Sequence, residues 1–152
     1  MRKTLLFFCG LFIGLLSLSG QAQKPVENST RMVNFKANVQ FPLNSYEEEL
    51  IREVYKDAYD SQVLNNPERL RNLKDILRNR VSVQYLPSFQ KEVKSLSEVS
   101  LFNKYNPKIK RKRFDKDNFN PLSYNFDFFS KSPQIYRVDN TDYYIVIKSQ
   151  YQ

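Results

Sequence analysis

The stretch QIYRVDNTDYYIVIK, residues 134–148, decides the architecture. Two β-prone runs, Gln134 to Val138 and Tyr143 to Lys148, flank the turn formers Asp139, Asn140, Thr141 and Asp142. That is the pattern of a β-hairpin. A tight hairpin turn needs a residue at positive φ, a place usually taken by glycine. No glycine follows Gly20, so Asn140, the next most tolerant type, is expected there. The run Tyr143 to Ile147 is unbroken apolar, which predicts an inner strand covered on both faces.

Upstream, two amphipathic patterns supply a cover. Residues 46–63 read as a helix: Ser45 followed by Glu48 matches a capping box, and Leu50, Ile51, Val54, Tyr55 and Ala58 fall on one stripe. Asn66 then offers an N-cap and Pro67 a first-turn residue. Leu70, Leu73, Ile76, Leu77 and Val81 form the second stripe, over 67–81. The short join predicts an antiparallel helical hairpin. Its two members carry opposite charge, −4 over 45–64 and +3 over 67–81. Val81, Val83 and Tyr85 alternate with polar residues, as do Tyr124, Phe126 and Phe128, and both runs predict strands. The same alternation at Phe35, Ala37, Val39 and Phe41 predicts another, ended by Pro42. Residues 88–118 read as loop. The fold class expected is α+β, an antiparallel helical hairpin packed on a small, mainly antiparallel sheet.

The N-terminus carries a different signal. Met1-Arg2-Lys3 precedes an apolar run from Leu5 to Leu18, closed by Ser19-Gly20-Gln21-Ala22. A basic start, an apolar run too short for the ~20 residues of a membrane span, and a small-x-small end make a secretory signal peptide. Cleavage is expected before Gln23. The expected divisions are residues 1–22 as signal, 23–44 as a tail with one strand, and 45–152 as a single α+β domain with no membrane-spanning segment. The address is the periplasm or the exterior. An abundance of Asn, Lys, Tyr, Phe and Ile resembles, in composition alone, exported proteins of AT-rich bacteria such as Bacteroidota.

Beyond residue 22 the chain has no glycine, histidine, cysteine or tryptophan. Transition-metal sites lean on His and Cys, and Ser-His-Asp or Cys-His catalysis needs the same residues. Phosphate-cradling loops and strained nucleophile turns need glycine. No catalytic, cofactor-binding or metal-ligating residue is therefore assigned. Carboxylate chemistry survives, because a glycosidase needs only two acids. Glu47, Glu48, Glu49 and Glu53 are the densest acids, but acids in a first helical turn are explained by the helix dipole. Ser88 with Lys91 is the corresponding Ser-Lys spacing, and Asp139 with Asp142 offers only two oxygen ligands for calcium.

One feature is concentrated. Lys104, Lys108, Lys110, Arg111, Lys112, Arg113 and Lys116 crowd thirteen positions against a single acid, Asp115. Such a block attracts polyanions. Tyr105 and Phe114 flank it, too few to make a stacking platform. The sequence therefore points to an exported, non-catalytic envelope protein with an interaction or structural role. An envelope protein or an anionic surface polymer or lipid headgroup is the expected partner, and nucleic acid is the polyanion that export makes least available. A carboxylate-dependent hydrolase is the third reading.

Overall fold

The computed structural model describes residues 33–89 and 91–151. The expected signal at 1–22 and the expected tail as far as Met32 lie outside the described residues. Two helices, α1 (Ser45–Tyr55) and α2 (Pro67–Asp75), precede three strands, β1 (Val81–Tyr85), β2 (Gln134–Arg137) and β3 (Tyr143–Ile147). The sheet is antiparallel with order β1-β3-β2. This is an α+β fold. Among the described residues, no helix is long and apolar enough to cross a membrane.

β3 is the inner strand. Val81 pairs with Ile147 on one side and Gln134 pairs with Ile147 on the other. Its side chains are enclosed on both faces, Tyr144 at 2 % exposure and Ile145 at 0 %. Asn140 sits at φ 57° in the turn between β2 and β3. The Thr141 N–H donates to the Val138 carbonyl at 3.1 Å to close that turn.

Two apolar clusters hold the molecule. Ile51, Val54, Tyr55, Tyr59, Val63, Leu73 and Ile76 gather between the helices. Ile145, Ile147, Tyr136, Tyr124, Phe126, Leu96 and Val99 gather on the sheet. Val81 and Phe128 touch both clusters. The face of β3 bearing Ile145 and Ile147 is thus covered largely by coil from 96 to 128, a cover that helical periodicity does not reveal.

Several local expectations are corrected. Residues 37–40 form a short 3₁₀ turn instead of a strand. Only Val39 of the alternating set is buried, and Phe41 is 66 % exposed. The reason is Arg78, whose guanidinium donates to the carbonyls of Asn38, Phe41 and Pro42. Those acceptors are satisfied by a side chain, so no neighbouring strand is needed. The cap of α1 falls one residue early. Asn44 accepts from the Glu47 N–H at 2.8 Å and Glu47 accepts from the Asn44 N–H at 3.0 Å. Asparagine caps as well as serine does, and this register also points Glu47 at Arg78.

The long first helix is interrupted at Lys56, which adopts φ 47°. Tyr59 and Val63 nevertheless remain in the core. α2 opens as expected, with Asn66 Oδ1 accepting from the Arg69 N–H at 3.0 Å. It then widens into a π turn over Ile76–Arg80 that delivers the chain to β1. The run 124–128 is no strand either. Tyr124 makes one bridge to Leu101, while the alternation survives as burial, with Tyr124 and Phe126 inside and Asn125 and Asp127 outside.

Candidate functional site

The basic segment follows from how the coil is tied down. Two buried asparagines dock it on α1. Asn106 Nδ2 donates to the Glu53 carbonyl at 2.8 Å, and Asn120 Nδ2 donates to the Leu50 carbonyl at 2.9 Å and to Glu53 Oε2 at 3.0 Å. The seven cations of the segment, Lys104 just before the first anchor and six between the two, divide into two groups.

Three are engaged within the protein. Arg111 donates to the carbonyls of Leu96 (2.8 Å), Ser97 (3.1 Å) and Val99 (2.7 Å), and its guanidinium lies 5.3 Å from the Tyr124 ring. Lys112 pairs with Glu53, and Lys116 pairs with its neighbour Asp117 at 2.6 Å. The Asp117 contact holds the Lys116 ammonium above its ordinary range. The other four, Lys104, Lys108, Lys110 and Arg113, are exposed and form no ion pair among the described residues. The Lys104 ammonium lies 5.3 Å from the centre of the neighbouring Tyr105 ring. All seven are exposed, so what separates them is pairing: Arg111 ties the coil to residues 96–99 and Lys112 pairs with Glu53 at the surface, while Lys110 and Arg113, on either side, have no such partner among the described residues.

The flanking aromatics point inward. Tyr105 stacks on Tyr55 with centroids 4.9 Å apart, and Phe114 packs on Phe119 and Tyr143 at 5.7 Å each. From Phe119 a column of rings continues through Tyr124 and Phe126 to Tyr136 at β2. These rings hold the coil to the sheet. A recess of about 260 Å³ behind Lys110 and Arg113 also has Glu53 and Asp115 in its wall, so an anion would be met by the outer cations and not drawn deep.

The acids are engaged too. Arg78 grips Glu47 through Nε and Nη2, both at 2.6 Å, and its hydrogen bonds hold the Glu47 carboxyl below the ordinary range against the opposing effect of burial. Burial works to raise the Glu53 carboxyl, but Asn120 and Lys112 together hold it low. Ser97 holds Asp139 low, donating from its hydroxyl and from its N–H at 3.0 Å. Asp142 faces Arg137 at 3.4 Å. Among the described residues, no three of His, Cys, Asp and Glu gather around a point where a metal ion would sit. Ser88 lies in a turn and Lys91 in coil, so the helical spacing that would pair them is not formed.

Sequence reasoning found the cations but not their division. The signal that could have hinted at it is the capping box at Ser95 and Glu98, which marks a short 3₁₀ turn whose carbonyls need a donor such as Arg111. Comparison with protein-family models, with curated proteins and with solved structures finds no match to this chain.

Proposed function

We propose that this chain is an exported, non-catalytic interaction protein of the bacterial cell envelope. One observation carries the reading. A segment held to the domain by Arg111, Asn106 and Asn120 presents Lys104, Lys108, Lys110 and Arg113 to solvent with no ion-pair partner among the described residues. Irregular segments fixed on a rigid scaffold are where binding residues concentrate. Fixing the backbone also reduces the ordering cost of association.

The target the chemistry favours is an anionic envelope polymer or lipid headgroup, because four cations without counter-ions raise the local potential. The non-catalytic part rests on the acids. Among the described residues, the carboxyls whose surroundings move them, Glu47, Glu53, Asp115 and Asp139, are all moved down. A general acid needs the opposite shift.

The test replaces the four solvent-facing cations with glutamine and measures retention on lipopolysaccharide-bearing vesicles, with Lys116→Gln as the control of equal chemistry. Loss of retention in the fourfold variant alone supports the proposal. Equal retention of both proteins rejects it. Mass spectrometry of an envelope fraction should find a chain beginning at Gln23, and an intact Met1 terminus in the cytosol rejects the export half.

A further inference from the structure

A cleft of about 490 Å³ opens between the helices and the aromatic coil, within the range of small-molecule sites, roughly 300–1,000 Å³. Val54, Leu73, Ile76, Leu122, Phe126 and Phe128 make its walls apolar. Two polar groups on it lack the partners their chemistry calls for. Tyr55 is 8 % exposed, and its hydroxyl makes no hydrogen bond to any described residue. No fully enclosed side-chain polar atom among the described residues goes without a partner, so that oxygen is not fully enclosed, on a residue that lines the cleft.

Arg69 is the second. It is half-buried at the cleft wall and has no carboxylate within ion-pair distance among the described residues. Its Nη1 donates to the Gln62 carbonyl at 3.0 Å and to Gln62 Oε1 at 2.6 Å. Gln62 Oε1 is itself braced by the Tyr105 hydroxyl at 3.2 Å. The guanidinium is therefore held in place by one nitrogen, with no hydrogen bond from the Nε and Nη2 edge to any described residue. That edge is a two-pronged donor matched to a carboxylate. The Arg69 charge reaches the Tyr55 hydroxyl, where it opposes the burial that pushes that phenol up. The one acid on the cleft, Glu68, is exposed at its mouth, where solvent screens it.

We propose that this cleft binds a single-chain carboxylic amphiphile, its tail on the apolar wall and its carboxylate in the Nε and Nη2 fork of Arg69 with the Tyr55 hydroxyl as a further donor. The cleft is separate from the basic segment, so this inference stands apart from the function proposed above. A carboxylate at Arg69 supplies a counter-ion that no described residue offers this half-buried cation, and charge-assisted hydrogen bonds are among the stronger ones. The tail covers walls that otherwise face water.

Calorimetric titration of the full chain with decanoate, decanol and inorganic phosphate tests it, with the fold of every variant checked by far-ultraviolet circular dichroism. Decanoate should bind about tenfold or more tightly than decanol, and phosphate should not compete. Arg69→Gln should bring decanoate down to the level of decanol and leave decanol unchanged. If that variant does not fold, Arg69→Lys keeps the charge without the fork and should lose part of the same preference. Failure of decanoate to bind the folded protein, equal affinity for acid and alcohol, or an Arg69 variant with undiminished preference overturns the proposal. The last result would place binding on another apolar surface.

Discussion

Glu47→Gln is the sharpest test of how the helical pair is held. Glu47 is 6 % exposed, and Arg78 meets its two oxygens with Nε and Nη2 at 2.6 Å each. The same carboxylate accepts from the Asn44 N–H to cap α1. One group therefore joins the start of α1 to the segment that follows α2. Glutamine keeps one oxygen for the cap but turns an amide N–H₂ toward a guanidinium that can only donate. Removing one member of a buried pair costs about 3–5 kcal/mol. Arg78 retains the Asn38, Phe41 and Pro42 carbonyls, which places the cost near the lower end, about 3 kcal/mol. Against the 5–15 kcal/mol of an ordinary domain, the urea midpoint should fall by roughly 1–3 M for typical slopes.

The acid limb gives a second readout. The Glu47 carboxyl lies below its ordinary value of 4.5 in the folded state, so it binds its proton less readily folded than unfolded. Its contribution is complete above about pH 4.5 and is lost as pH falls through the depressed folded value. The variant should lack that part of the slope. A cost under about 1 kcal/mol, with an unaltered acid limb, would refute the tie between helix cap and arginine.

Other expectations follow from backbone and burial. Lys56 occupies φ 47° and ψ −126°, a region costing a side-chain-bearing residue about 1–3 kcal/mol, so Lys56→Gly should raise the urea midpoint, and a lowered midpoint contradicts the strain. Asn140→Val puts a β-branched residue at φ 57° and should cost about 1–2 kcal/mol by thermal melting, with no change counting against the turn geometry. Arg111→Gln removes the donor to three carbonyls and should cost about 2 kcal/mol, whereas Lys110→Gln should stay within about 0.5 kcal/mol. Equal losses in that pair would show that the two cations do the same work.

The hairpin, its central strand and the position of Asn140 were legible in residues 134–148 because period-two patterning and turn chemistry are local. The opening of α2 was legible in Asn66-Pro67 for the same reason. The break at Lys56 was not, since nothing in its neighbours favours positive φ and the apolar stripe runs through it to Tyr59 and Val63. Alternation misled at 35–41 because Arg78, some forty residues away, supplies the donor a strand partner would have supplied. At 124–128 the alternation reported burial correctly and hydrogen bonding wrongly, the ring stack standing in for a ladder. The basic run was visible as composition. The pairing of Lys116 with Asp117 joins sequence neighbours, but the engagement of Lys112 and Arg111 depends on Glu53 and on the carbonyls of 96–99, contacts that no spacing in the sequence encodes.

Salt dependence measures the division of the cations most directly. Duplex DNA serves here as a polyanion of known charge spacing, with binding followed by fluorescence anisotropy over a range of salt. Four phosphate contacts give a slope of log affinity against log salt of about −4, and seven would give about −6. The account predicts the smaller value for the wild-type chain, collapsing toward zero when Lys104, Lys108, Lys110 and Arg113 become glutamine. A slope near −6, or one that survives the fourfold substitution, would contradict it.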